Sequence, residues 1–87
     1  MNNNEQIEAL VEDLLAVTQV ILQLNFILSL IQTEIVRLSA ENNNQEQIDA
    51  LIQDAFIVTQ VILELTIILT LIQAEIVRLS EENMVAA

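Results

Sequence analysis

The residues that could do chemistry are few and almost all of one kind. Thirteen acids face two basic residues, Arg37 and Arg78, and the chain holds no Lys, His, Cys or Tyr. The usual general bases, covalent nucleophiles and soft metal ligands are therefore missing. Its Ser and Thr hydroxyls have no base to activate them. Glu8, Glu12 and Asp13 could draw a calcium ion, but their spacing is not that of a calcium-binding loop, and a solvated acidic helix start is the simpler reading. With no Gly there is no phosphate-cradling loop. Glu64 is the one charge in the middle of a long apolar stretch. It stands where an equivalent stretch carries Gln23, which suits a hydrogen-bonding or solvent-facing role better than catalysis. Glu34 with Arg37 and Glu75 with Arg78 have the spacing of ion pairs along one helix. We expect no enzyme activity, no cofactor, no metal and no small-molecule substrate.

Charge narrows the partners further. A net charge of −11 argues against nucleic acid and against adhesion to anionic lipid. The start, "MNNNEQIEALVED", has neither a basic region before an apolar run nor a myristoylation glycine, and "MVAA" is not a prenylation box, so neither a signal peptide nor a lipid anchor is expected. Without Cys, the redox compartment cannot be read.

The elements that carry these residues follow from a repeat. Residues 5–41 match residues 46–82 at 25 of 37 positions without a gap, as a duplicated unit would. In the first copy Ile7, Leu10, Leu14, Val17, Ile21, Leu24, Leu28, Ile31, Ile35 and Leu38 recur at alternating steps of three and four. In the second, Ile48, Leu51, Ala55, Val58, Ile62, Leu65, Leu69, Ile72, Ile76 and Leu79 do the same. That is a helical seam, and the period outweighs the strand propensity of so many β-branched residues. Each copy predicts a rod of roughly 55 Å.

The two rods do not run on as one. Their offset of 41 is not a multiple of seven, so a continuous helix would turn the second seam away from the first. "AENNNQEQ" lies at the junction. Asn tolerates the left-handed region and caps helices, and Asn3 with Gln6 and Asn44 with Gln47 have capping-box spacing. First-turn acids Glu5, Glu8, Glu46 and Asp49 and last-turn Arg37 and Arg78 suit the helix dipoles. The expected fold is all-α: an antiparallel hairpin with helices over about 4–40 and 46–83 and a turn over about 41–45, nearest 42–45.

Such a hairpin leaves much apolar surface outside the seam, including Leu15, Leu22, Phe26, Leu30, Phe56, Leu63 and Leu71. That surface calls for more helices or for lipid. Leu14–Thr33 is a 20-residue stretch without charge, long enough for a bilayer, and Ala55–Ala74 differs only by Glu64. Against lipid stand Gln19, Gln23, Asn25, Ser29 and Gln32 within or near the first stretch, the lack of Trp and Tyr, and apolar runs no longer than four residues. The arginines also fall at opposite ends of a hairpin, so there is no positive-inside bias. We expect Ile21, Leu24, Leu28, Ile31, Ile62, Leu65, Leu69 and Ile72 to form an assembly core. Thr18, Gln19, Asn25, Gln32, Thr59, Gln60, Thr66 and Gln73 would set register by hydrogen bonding between helices, a solvated polar stripe being the alternative.

The stretches "TQVILQLNFILSL" from Thr18 and "TQVILELTIILTL" from Thr59 resemble the repeated segment of the spore coat protein X/V family of spore-forming bacilli. The resemblance covers about 14 residues per copy and implies an insoluble, self-assembling component of the spore surface, with Thr18, Gln19, Thr59 and Gln60 as packing positions. It departs from the family at Ala16-Val17 and Ile57-Val58, where an Asp-Thr lead-in is usual, and at Thr66, where Gln is favoured.

The reading is thus a structural protein whose partner is itself, polymerising into a filament or layer. The alternatives are an oligomeric membrane hairpin with the Thr18, Asn25 and Gln32 stripe or Glu64 facing a pore, and a small closed bundle. Leu28→Glu should stop polymer growth under the first; Glu64→Gln should alter conductance under the second.

Overall fold

The computed structural model describes residues 3–41 and 43–86. Two helices account for nearly all of them: α1, Asn4–Ser39, and α2, Gln45–Ala86. With neither Gly nor Pro to interrupt them, both run unbroken and pack antiparallel as a rod of 68 × 14 × 12 Å. The rod exceeds the expected length because α2 continues past 83. Nothing in "EENMVA" stops a helix. Arg78, expected in the last turn, therefore lies well inside α2, whose last turn has no basic residue, whereas Arg37 does close α1.

The turn is built from backbone and Asn chemistry. At the end of α1 the N–H groups of Ala40 and Glu41 reach back three residues, to the carbonyls of Arg37 (3.2 Å) and Leu38 (3.0 Å). This tightens the last turn and satisfies two orphan acceptors. Asn43 then takes a φ of 68°, the left-handed conformation that reverses the chain. In a sequence without Gly, Asn is the residue that tolerates it best. Asn42, part of the expected turn, lies outside the described residues. The Asn44 side-chain amide donates to the Leu38 carbonyl (3.4 Å) and to Glu41 Oε2 (3.1 Å), tying the start of α2 to the end of α1.

The expected capping box at Asn3 does not form. Asn3 stands at the N-cap of α1 but makes no capping side-chain bond. Its side chain reaches instead to the other helix, donating to Glu82 Oε2 at 2.9 Å, and its backbone N–H donates to Asn83 Oδ1 at 2.7 Å. A contact between helix ends wins over the local cap because the antiparallel partner supplies a charged acceptor within reach.

All twenty seam positions are at least partly shielded, and of these only Leu38 and Leu79 are buried; Thr18, Glu34 and Glu75 beside the seam are partly shielded too. Asn3 lies beside Asn83 at one end of the antiparallel pair. Counting inward from there at equal rise per residue brings Leu14 level with Ile72, Val17 with Leu69, Ile21 with Leu65, Leu24 with Ile62, Leu28 with Val58 and Ile31 with Ala55. The residues expected as an assembly core are thus the middle of the contact between α1 and α2. Surfaces available to anything else lie outside the seam.

Those surfaces are large. The chain exposes 6531 Å². A compact monomer of its mass would expose roughly 5,200 Å². The radius of gyration is 19.7 Å, against about 12 Å for a compact domain of this length.

Candidate assembly surfaces

Around each helix the positions beside the seam differ in kind. In α1 one flank carries Thr18, Asn25 and Gln32, and the other carries Val20 and Ile27. In α2 the matching flanks carry Thr59, Thr66 and Gln73, and Val61 and Ile68. Because the helices run in opposite directions, matching flanks fall on the same side of the hairpin. One side is thus an amide and hydroxyl side and the other an aliphatic side.

Exposure follows this geometry. The aliphatic flank residues are grazed by the opposite helix, with Val20 and Ile27 each 42% exposed and Val61 37%. Residues pointing further out, such as Phe26, Leu22 and Leu63, are exposed at 60% or more, as is Phe56 at 72%. Apolar side chains therefore meet solvent on several faces of both helices, far beyond the scattered hydrophobics of a soluble monomer.

The polar residues of the shaft are not buried within the hairpin, where no buried polar or charged residue is found among the described residues. Thr18 is half-buried. Gln19, Asn25, Gln32, Thr59, Gln60, Thr66 and Gln73 are exposed. Several turn back on their own helix. Thr18, Thr59 and Thr66 donate their hydroxyls to the carbonyls of Leu14, Ala55 and Ile62, each at 2.8 Å, and the Asn25 amide donates to the Ile21 carbonyl at 2.9 Å. Within the chain, these four positions bond one turn back along their own helix. A hydroxyl that already has a local acceptor can enter an apolar contact at reduced cost.

Each end of the rod carries the same charge clamp. Arg37 Nε and Nη2 each donate to Glu34 at 2.7 Å, and its Nη1 donates to Glu41 at 3.0 Å. Arg78 does the same with Glu75 (2.7 and 2.6 Å) and Glu82 (2.6 Å). The second acid of each clamp also takes an Asn amide, Glu41 from Asn44 and Glu82 from Asn3. Each arginine thus links an ion pair to the junction between helix ends. The bidentate hydrogen bonds from arginine hold the Glu34 and Glu75 carboxyls below the usual carboxylate range and push both guanidinium groups further up.

Among the described residues, the concave patches include open grooves along α1 at Gln19, Leu22, Gln23, Phe26 and Ile27, at the turn over 43–47, and near the end of α2 beside Arg78 and Val85. Among the described residues no group of acids gathers to hold a metal ion, and Glu8, Glu12 and Asp13 form no such cluster. Compared with known proteins, the chain matches no family model, no curated protein and no solved structure.

Proposed function

We propose that the protein is a structural, self-assembling component whose hairpins pack side by side into a filament or layer. The observation that carries this reading is the apolar surface outside the seam, spread over both helices and interrupted by exposed amides at Gln19, Gln23 and Gln60. A helical neighbour covers the aliphatic residues and offers partners to the amides, whereas lipid offers the amides none. The acidic ends, with their arginines already taken up in clamps, stay in water and repel one another. That favours lateral packing over end-to-end stacking. The Thr-Gln-led segments support placing such a layer on a spore surface.

One observation favours a second reading, a membrane hairpin. Both helices are long and apolar enough to cross a bilayer by length and composition. The register also sets their uncharged stretches level, so charge gathers at the two ends with Glu64 between.

Expression without detergent, followed by pelleting and negative-stain electron microscopy, separates the two. Uniform filaments or sheets without lipid are expected. Protein found only in membrane vesicles, resistant to alkaline wash and released by detergent, would overturn the structural reading.

A further inference from the structure

This inference rests on the self-association proposed above and concerns the direction in which a second copy lies. The aliphatic side has the anatomy of an interface. Val20, Ile27, Val61 and Ile68 make its apolar field, and the Glu34–Arg37 and Glu75–Arg78 pairs rim its two ends. At mid-length, further out on the same side, stand Gln23 on α1 and Glu64 on α2. They are almost level, since the register sets Gln23 beside Leu63. Both are exposed.

Turning the hairpin end over end, about an axis through this face, exchanges the helices. Val20 is then replaced by Val61, Ile27 by Ile68 and Leu30 by Leu71; Ala16 gives way to Ile57, but each of these meets a leucine of the other copy in either direction, so the apolar contacts barely change. The difference in charge is at the centre, where Gln23 and Glu64 trade places. Shape therefore does little to tell a second copy which way to lie, and charge does more.

We propose that a second copy of this chain docks on the aliphatic side with its turn at the same end, each copy's Glu64 carboxylate accepting from the other's Gln23 amide. In that arrangement α1 of one copy faces α2 of the other, and two charge-assisted hydrogen bonds form at the middle of the contact. In the opposite direction α1 faces α1 and α2 faces α2, which sets Glu64 against Glu64 in a dehydrated centre. A self-complementary face of this kind fits a twofold pair.

The chain has no Cys, so engineered thiols report contacts without interference. Three full-length variants suffice, Ala16→Cys, Leu30→Cys and Leu71→Cys, each keeping Gln23 and Glu64. In the same-direction pair Ala16 meets Leu71 of the other copy, and in the opposite pair it meets Leu30. On mild oxidation, Ala16→Cys mixed with Leu71→Cys should give at least about tenfold more cross-linked heterodimer than Ala16→Cys mixed with Leu30→Cys. Adding Glu64→Gln to every chain should bring the two yields close together. Equal yields with Glu64 present, or neither cross-link while the unmodified protein sediments as an assembly, would overturn the proposed direction alone. An unmodified protein that sediments as a lone hairpin would overturn self-association, and this inference with it.

Discussion

Arg78 holds both carboxylate oxygens of Glu75, through Nε at 2.7 Å and Nη2 at 2.6 Å, from one turn away on α2. The same fork joins Arg37 to Glu34. The lowered carboxyls make these pairs sensitive to acid with a definite sign. A carboxyl held below its ordinary value of 4.5 when folded adds stability at neutral pH. That stability is fully present above the unfolded value and is lost as pH falls through the lower, folded value. Both pairs are exposed, so the effect is small and screened by salt. Glu75→Gln should lower the melting temperature slightly at pH 7 in dilute buffer. The difference from the parent should vanish at pH 2 or in about 1 M salt, as followed by far-ultraviolet circular dichroism. A difference that persists in acid would mean that Glu75 acts other than as a carboxylate.

Position around the helix, not hydrophobicity, decides what a substitution reports. Leu28 faces the opposite helix, so Leu28→Glu tests the hairpin itself rather than polymer growth alone. Leu63 points outward and is 60% exposed. Leu63→Glu should keep helix content and leave a species that no longer pellets. Loss of helicity in this variant would show that the hairpin has no fold apart from its assembly.

At the buried ends of the seam, Leu38→Ala and Leu79→Ala should each cost about 2–3 kcal/mol, the low end of the range for leucine truncation, because the neighbouring turn and helix end can relax. Chemical denaturation monitored by helicity measures this. Thr66→Val, which removes only a hydroxyl bonded to its own helix, should stay within about 0.5 kcal/mol.

The seam was legible because a three-four spacing held over ten positions per helix leaves one face to bury. The site of reversal was legible from the Asn cluster and from the loss of heptad phase. Three other features were not. Asn3 satisfies the capping pattern, yet it bonds Glu82 because the two lie far apart in the chain and meet only when the hairpin closes. Arg78 reads as a helix end because it matches Arg37, but no stop signal follows it. The shaft hydroxyls read as register-setting groups, and only the helix geometry reveals that their own carbonyls lie within reach.

The turn offers the sharpest single-residue test. Asn43 adopts its φ of 68° at little cost, while a residue with an ordinary side chain pays about 1–2 kcal/mol there. Asn43→Ala should destabilise by about that amount and Asn43→Gly should be neutral or better. Equal effects of the two, measured by thermal melts of the same preparation, would place the reversal elsewhere.

Asn3 and Asn83 lie together at the end of the rod opposite Asn43. Any tag, label or further stretch of chain joined to either terminus therefore departs from the same tip. If the rods stand in one direction, the layer they make is two-sided like a carpet. One surface carries every attachment, and the other is a lawn of asparagine-lined loops. Gold bound to a terminal tag would then decorate a single surface of the sheet, which makes the orientation of each rod visible without resolving it.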